Sequence, residues 1–245
     1  MSLTRSIEAL GRLVIPVVFC LLASWSHGQF VVERSPWLDD ESITEEPVEQ
    51  RWSVTNLQTK EPIKALFTVE GINPRKPVAL KIHEDTLLQL SPYRRYGRIC
   101  VEPNYMLYAD YIYADPDISC DTIQLAPIAV GLETALPGIE FMPGTEDLYF
   151  TSIPALEALL EFVQVHPTLA IAIVGHENES TDRVDAEMKS RDRARAVFEY
   201  LVSSGIDSYR LSVEGAGDQA LVFPEPQTPE EAEANRRISV RVTNY

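Results

Sequence analysis

The chain has 245 residues, 45% of them apolar, with 37 acidic against 21 basic side chains and a formal net charge of −16. That length allows two modest domains or one large one, and the apolar content is that of an ordinary globular protein. The charge argues against nucleic acid and anionic lipid surfaces as partners, because both repel a strongly acidic chain.

The N-terminus sets the expected compartment. Arg5 and Arg12 flank the start, an apolar run follows from Leu13 to Ala23 with Pro16 inside it, and small residues lead to Ser26-His27-Gly28. This is the layout of a secretory signal peptide. The apolar run is shorter than the roughly 20 residues that cross a bilayer, so a cleaved signal over 1–28 is expected in preference to an anchor. Cleavage is expected after Gly28, with Ala23 the alternative. Cys20 follows Phe19, and a bulky aromatic there argues against lipid attachment. An exported chain meets an oxidising compartment, so Cys100 and Cys120 are expected to form a disulfide, two free buried thiols being the alternative. No cysteine or histidine has metal-ligand spacing, and neither a metal nor a cofactor is expected.

Residues 29–50 carry Glu33, Asp39, Asp40, Glu41, Glu45, Glu46 and Glu49, with Pro36 and Pro47 among them. An acidic, flexible lead-in is expected. Between 51 and 127 short segments alternate with period two. Ile63, Ala65, Phe67 and Val69 form one set, Val78, Leu80 and Ile82 a second, Tyr105, Leu107, Ala109 and Tyr111 a third, and Ile123 with Leu125 a fourth. Turn signals at Gly71, Ser91-Pro92, Pro103-Asn104 and Asp115-Pro116 separate them. An all-β sandwich is expected over 51–127. Its tyrosines read as cross-strand packing, with a carbohydrate or peptide platform the alternative. The segments Thr59-Lys60-Glu61-Pro62-Ile63, Arg94-Arg95-Tyr96-Gly97-Arg98 and Pro103-Asn104-Tyr105 loosely resemble the carboxypeptidase-regulatory-like (transthyretin-like) sandwich.

From 128 the pattern changes. Ile139-Glu140-Phe141 is a strand candidate. A helix starts at Ser152, with Pro154 in its first turn where a missing N–H costs least, and His166-Pro167 stops it. Leu169 to Val174 is apolar at every position, which predicts a central strand covered on both faces. A polar loop from Glu177 leads to a helix over 184–203, with Gly205 as its C-cap. Tyr209 to Gly215 is a strand, 216–234 a long loop, and Ile238, Val240 and Val242 a last strand. The second predicted domain, 128–245, is thus α/β, with a mixed sheet in the order β-α-β-α-β-β.

The ordered residues Gly175-His176, Ser190, Arg193-Ala194, Val197, Tyr200-Leu201, Gly205-Ile206, Arg210-Leu211-Ser212, Gly215, Gly217 and Asn235-Arg236-Arg237-Ile238 resemble the OmpA-like C-terminal domain. The resemblance covers about 110 residues. It implies a non-catalytic binder of peptidoglycan that grips the diaminopimelate of the stem peptide. In that family an aspartate in the loop after the central strand takes the ligand's ammonium, and an arginine on the long helix takes its carboxylate through a two-bond fork. Carried onto this chain, the arginine is Arg193 and the aspartate position is Asn178. The family's Gly-His-Thr-Asp reads Gly175-His176-Glu177-Asn178 here, so the anionic partner is lost at that position, and Glu177 or Glu179 is left to supply charge. Thr181 and Ala186 are further departures.

The expected binding residues are Asn178, Arg193, His176, Glu177 and Arg236. His176 is expected to be a strand-end hydrogen-bonding residue, and no Ser, Asp or Cys lies in a recognisable catalytic motif, so no enzyme activity is expected. The resemblance implies a periplasmic protein associated with the outer membrane, with a further envelope partner reached through the sandwich. The alternative is a periplasmic scaffold that keeps the fold and has lost or altered diaminopimelate binding. Too few residues lie upstream for a membrane-spanning β-barrel.

Overall fold

A computed structural model describes residues 46–72, 76–83, 85–142, 145–177 and 182–245. The expected signal peptide at 1–28, the acidic lead-in up to 45, and Asn178 lie outside these residues. The described residues belong to one compact unit with two hydrophobic cores.

Seven strands surround the first core: β1 Val48–Asn56, β2 Ala65–Glu70, β3 Val78–Ile82, β4 Thr86–Leu90, β5 Arg95–Cys100, β6 Tyr108–Tyr113 and β7 Cys120–Leu125. They form two sheets, ordered β4-β1-β7 and β3-β2-β5-β6. Neighbours are antiparallel except β1 and β7, which run parallel. Period-two alternation decides what faces inward. Ala65, Phe67 and Val69 are buried while Leu66 and Thr68 are exposed. With Trp52, Val54, Tyr96, Ile123 and Leu125 they share one core.

β1 begins inside the stretch expected to be flexible. Its outward residues Glu49 and Arg51 are exposed, and its inward face starts with a polar residue, Gln50. Gln50 is satisfied there. Its Nε2 donates to the Asp115 carbonyl at 3.1 Å, and its Oε1 accepts from Trp52 Nε1 at 3.3 Å.

The expected Cys100–Cys120 disulfide is absent, and both cysteines are free. Strand parity explains this. Asp121, Ile123 and Leu125 are the less exposed residues of β7, so Cys120 points outward. Cys100 points into the core from the other sheet, where burial, with help from Glu102, pushes its thiol up.

The second lobe contains β8 Glu133–Leu136, α1 Ile153–Val165, β9 Ala170–Gly175, α2 Arg183–Ser203, β10 Leu211–Gly215, α3 Pro229–Asn235 and β11 Ile238–Asn244. The sheet order is β10-β9-β11-β8; β9 and β10 are parallel, the other pairs antiparallel. The first strand is therefore 133–136 and not 139–141. Pro137 lacks an N–H and Gly138 sits at φ +85°, which ends the ladder before Ile139. The expected loop at 216–234 also contains α3.

Ile171 and Ile173 of β9 join the core formed with α1 and α2. Ala172 and Val174 are also buried, but on the opposite face, which carries the polar side chains of Glu133, Ser239, Glu214 and Arg241. Arg241 pairs there with both glutamates. Arg210 secures the C-terminus of α1: its guanidinium donates to the carbonyls of Val163 and His166 at 2.7 Å and of Leu169 at 2.9 Å.

Glycines bring α2 onto the ends of β9 and β10. A Cβ at Gly175 would lie 1.8 Å from the Ser190 carbonyl oxygen, and one at Gly215 would lie 2.3 Å from that of Glu187. Ser190 Oγ donates to the Glu187 carbonyl and accepts from Gly217 N–H, both at 3.0 Å. Gly175→Ala is expected to cost roughly 3 kcal/mol, because the obstructing atom is backbone and the helix itself must move. The urea midpoint measures this; an unchanged midpoint would contradict the contact.

Candidate functional site

Strand alternation divides the residues at the end of β9. His176 N–H donates to the Arg237 carbonyl and Glu177 N–H to the Gly217 carbonyl, so the extended chain continues past Gly175. His176 then shares the face of Ala172 and Val174, and Glu177 the helix-covered face of Ile171 and Ile173. The two expected site residues point to opposite sides of the sheet.

On the helix side, Glu177 meets Arg193. Ser190, Ala194, Val197 and Leu201 turn the buried stripe of α2 toward the sheet, and Arg193 flanks it with 16% of its side chain exposed. Arg193 Nη1 donates to the Glu177 carboxylate, and Nε donates to Glu146 Oε2 at 2.8 Å. The guanidinium carbon lies 5.5 Å from the centre of the Phe141 ring. The Glu177 side chain is 1% exposed and that of Glu146 32%. One guanidinium thus bridges a fixed, buried carboxylate and a second carboxylate that solvent reaches. A carboxylate ligand could reach this fork by replacing Glu146.

Sequence reading did not single out Glu146 or assign Phe141 a place in the site. Glu146 is 47 positions from Arg193 in the chain, and no local pattern joins them. Glu177 was visible as a departure from the family string. Asn178 lies outside the described residues. Arg236, between α3 and β11, lines a neighbouring cleft with Phe141 and Arg237, so Phe141 borders both places.

His176 lies in a separate network. Ser239 Oγ donates to Glu133, so it accepts from His176 Nε2, at 2.9 Å. The other ring nitrogen, Nδ1, is buried with no hydrogen-bond partner among the described residues. Burial, together with the Arg237 charge, lowers the imidazole pKa to about 4. The unfolded chain binds this proton near pH 6.5 while the folded chain does not. Stability from this residue is therefore present above pH 6.5 and is lost as pH falls toward 4. Between pH 7 and pH 4.5 the wild type is expected to lose roughly 2–3 kcal/mol more unfolding free energy than His176→Gln. Parallel losses in denaturant titrations at the two pH values would refute the assignment.

Residues 140–236 match the family model described as the OmpA family. Three solved structures are similar. A MotB-like protein from Desulfovibrio vulgaris is 21% identical, with a TM-score of 0.40 over 46% of this chain and 74% of that one. The peptidoglycan-associated lipoprotein from Burkholderia pseudomallei is 17% identical, with a TM-score of 0.38 over 42% and 86%. The OmpA-like domain of FopA1 from Francisella tularensis is 16% identical, with a TM-score of 0.35 over 47% and 83%. Among curated proteins, photosystem I P700 chlorophyll a apoprotein A2 from Gloeobacter violaceus is 24% identical over 186 residues, covering 68% of this chain. The chain spans about a fifth of the length of that relative.

Proposed function

We propose, from the premise that residues 140–236 are an OmpA-family domain, that the chain is an exported, non-catalytic envelope protein that binds peptidoglycan. Arg193 receives the diaminopimelate carboxylate, and the first lobe serves a partner in the periplasm or at the outer membrane. The observation that carries this reading is the placement of Arg193, on the long helix beside the end of the central strand and stacked on Phe141, where the family string places its ligand arginine.

The departures in this chain shape the mechanism. Glu177 is buried and stays with Arg193, whereas Glu146 is the partner a ligand can replace. The incoming carboxylate then accepts from Nε, and the displaced Glu146 remains close enough to attract the ligand's ammonium. Competition with Glu146 weakens binding compared with an open fork.

A second reading has support from the same geometry: a scaffold whose arginine is spent on its own carboxylates. Cosedimentation of the purified chain with diaminopimelate-type peptidoglycan separates the two. Under the binding reading the wild type is retained, and Glu146→Gln, which exchanges a charged acceptor for a neutral one, is retained about tenfold more tightly, equivalent to about 1.4 kcal/mol. Retention of neither protein would leave the scaffold reading.

A further inference from the structure

We propose that the Arg193 site prefers a stem peptide whose diaminopimelate side group carries a neutral carboxamide in place of its free carboxylate. The proposal rests on the peptidoglycan reading above and names the form of the ligand that this site selects.

The charges at the site motivate it. One arginine and one aspartate, as the family string implies, sum to zero and match the zwitterionic end of unmodified diaminopimelate. The described residues of this chain sum differently. Arg193 pairs with both Glu177 and Glu146, so one positive charge stands against two negative ones. Lys189, one turn earlier on α2, feels both glutamates, but Asp185 holds it at 2.7 Å and cancels it. Arg191 is likewise bound to Glu187, at 3.1 Å. An excess negative charge suits a ligand end with an excess positive one. Capping the carboxylate as a carboxamide leaves the ammonium as the only charge on that end.

The hydrogen bonds point the same way. Nη1 of Arg193 donates to Glu177, and Nε donates to Glu146 Oε2 at 2.8 Å. Nη2, with its two N–H groups, makes no hydrogen bond among the described residues. The Phe141 ring, 5.5 Å from the guanidinium carbon, backs the group. A carboxamide oxygen accepts from Nη2 with Glu146 left in place, and the amide nitrogen beside it donates to the Glu146 carboxylate. The ammonium meets that same carboxylate, of which 32% of the side chain is exposed. A free carboxylate at this point finds Glu146 next to it as a like charge. It has to displace Glu146 from the guanidinium or sit against it, and both cost affinity. Glu177 cannot give way instead, since its side chain is 1% exposed.

The test is isothermal titration calorimetry of the purified full chain with two synthetic stem peptides. They are identical except that the diaminopimelate side group ends in a carboxylate in one and a carboxamide in the other. The wild type is expected to bind the carboxamide peptide at least about tenfold more tightly. In Glu146→Gln the preference should vanish or reverse, the carboxylate peptide gaining about tenfold while the carboxamide peptide gains nothing. Equal affinities in the wild type, or tighter binding of the carboxylate peptide, would overturn the proposal and leave the peptidoglycan reading standing. An unchanged preference in Glu146→Gln would overturn the role given to Glu146 and the proposal with it. Binding of neither peptide by the wild type would remove both the proposal and the reading beneath it.

Discussion

Arg193→Ala is expected to lower the unfolding free energy by about 3–5 kcal/mol, because it takes the guanidinium away from a buried carboxylate. The Glu177 side chain is 1% exposed and pairs with the guanidinium that the substitution removes. Adding Glu177→Gln to Arg193→Ala should recover at least half of the loss, and the double-mutant cycle should show a coupling well above the error of independent sites. Urea unfolding of the four proteins measures it. A loss below about 1 kcal/mol for the single variant would mean that the buried pair does not form. The result also governs how ligand binding is tested. A collapse of binding in Arg193→Ala would mix loss of the receptor with loss of the fold, which is why Glu146→Gln is the better probe.

Arg98→Ala should be as severe, again about 3–5 kcal/mol, at the first core. Only 3% of this side chain is exposed. Its Nε and Nη2 grip the Asp110 carboxylate at 2.8 and 2.5 Å, Nη1 reaches Asp121 at 2.5 Å, and its carbon lies 4.8 Å over the Trp52 ring. Tyr108 donates a further bond to Asp110 at 2.6 Å. Burial alone would make the guanidinium easier to deprotonate, but the two aspartates override it and hold the charge. Asp110 belongs to the same sheet as Arg98, whereas Asp121 and Trp52 belong to the other, so the residue fastens the two sheets together. Arg98→Lys should recover only a minor part, since an ammonium has no fork. Unfolding midpoints of both variants close to wild type would rule out this role.

Much of this architecture could be read from one-dimensional pattern. The period-two sets at Ala65–Val69, Val78–Ile82 and Ile123–Leu125 are strands, and the spacing of Leu156, Leu159 and Val163 is a helix, because side-chain direction repeats with the backbone. The string from Gly175 to Ile238 was legible because glycines at 175 and 215 are required by the approach of α2, and Gly217 sits at φ +52°. Other features depend on distant partners. β1 was obscured by charges on its outward face and by Gln50 on its inward one, and β8 has only four residues. The parity that turns Cys120 outward was available in Asp121, Ile123 and Leu125, but pairing was inferred from compartment instead. At the site, Arg193 and Glu177 could be singled out, whereas Glu146 could not, since an ion pair across a loop leaves no trace in local spacing. The separation of His176 from Glu177 follows from alternation alone.

The position of β11 has a kinetic consequence. It lies between β9 and β8, and its Ile238 pairs with both Gly175 and Leu136. β8 therefore waits for a partner about a hundred positions later in the chain, and this sheet cannot close until the last strand inserts. Pairings at such separation make folding slow, since the ordering cost precedes the contacts that offset it. Until then β8 and one edge of β9 expose unpaired backbone groups to any extended peptide nearby, so the interval before closure is when this lobe is most open to mispairing with another copy of itself.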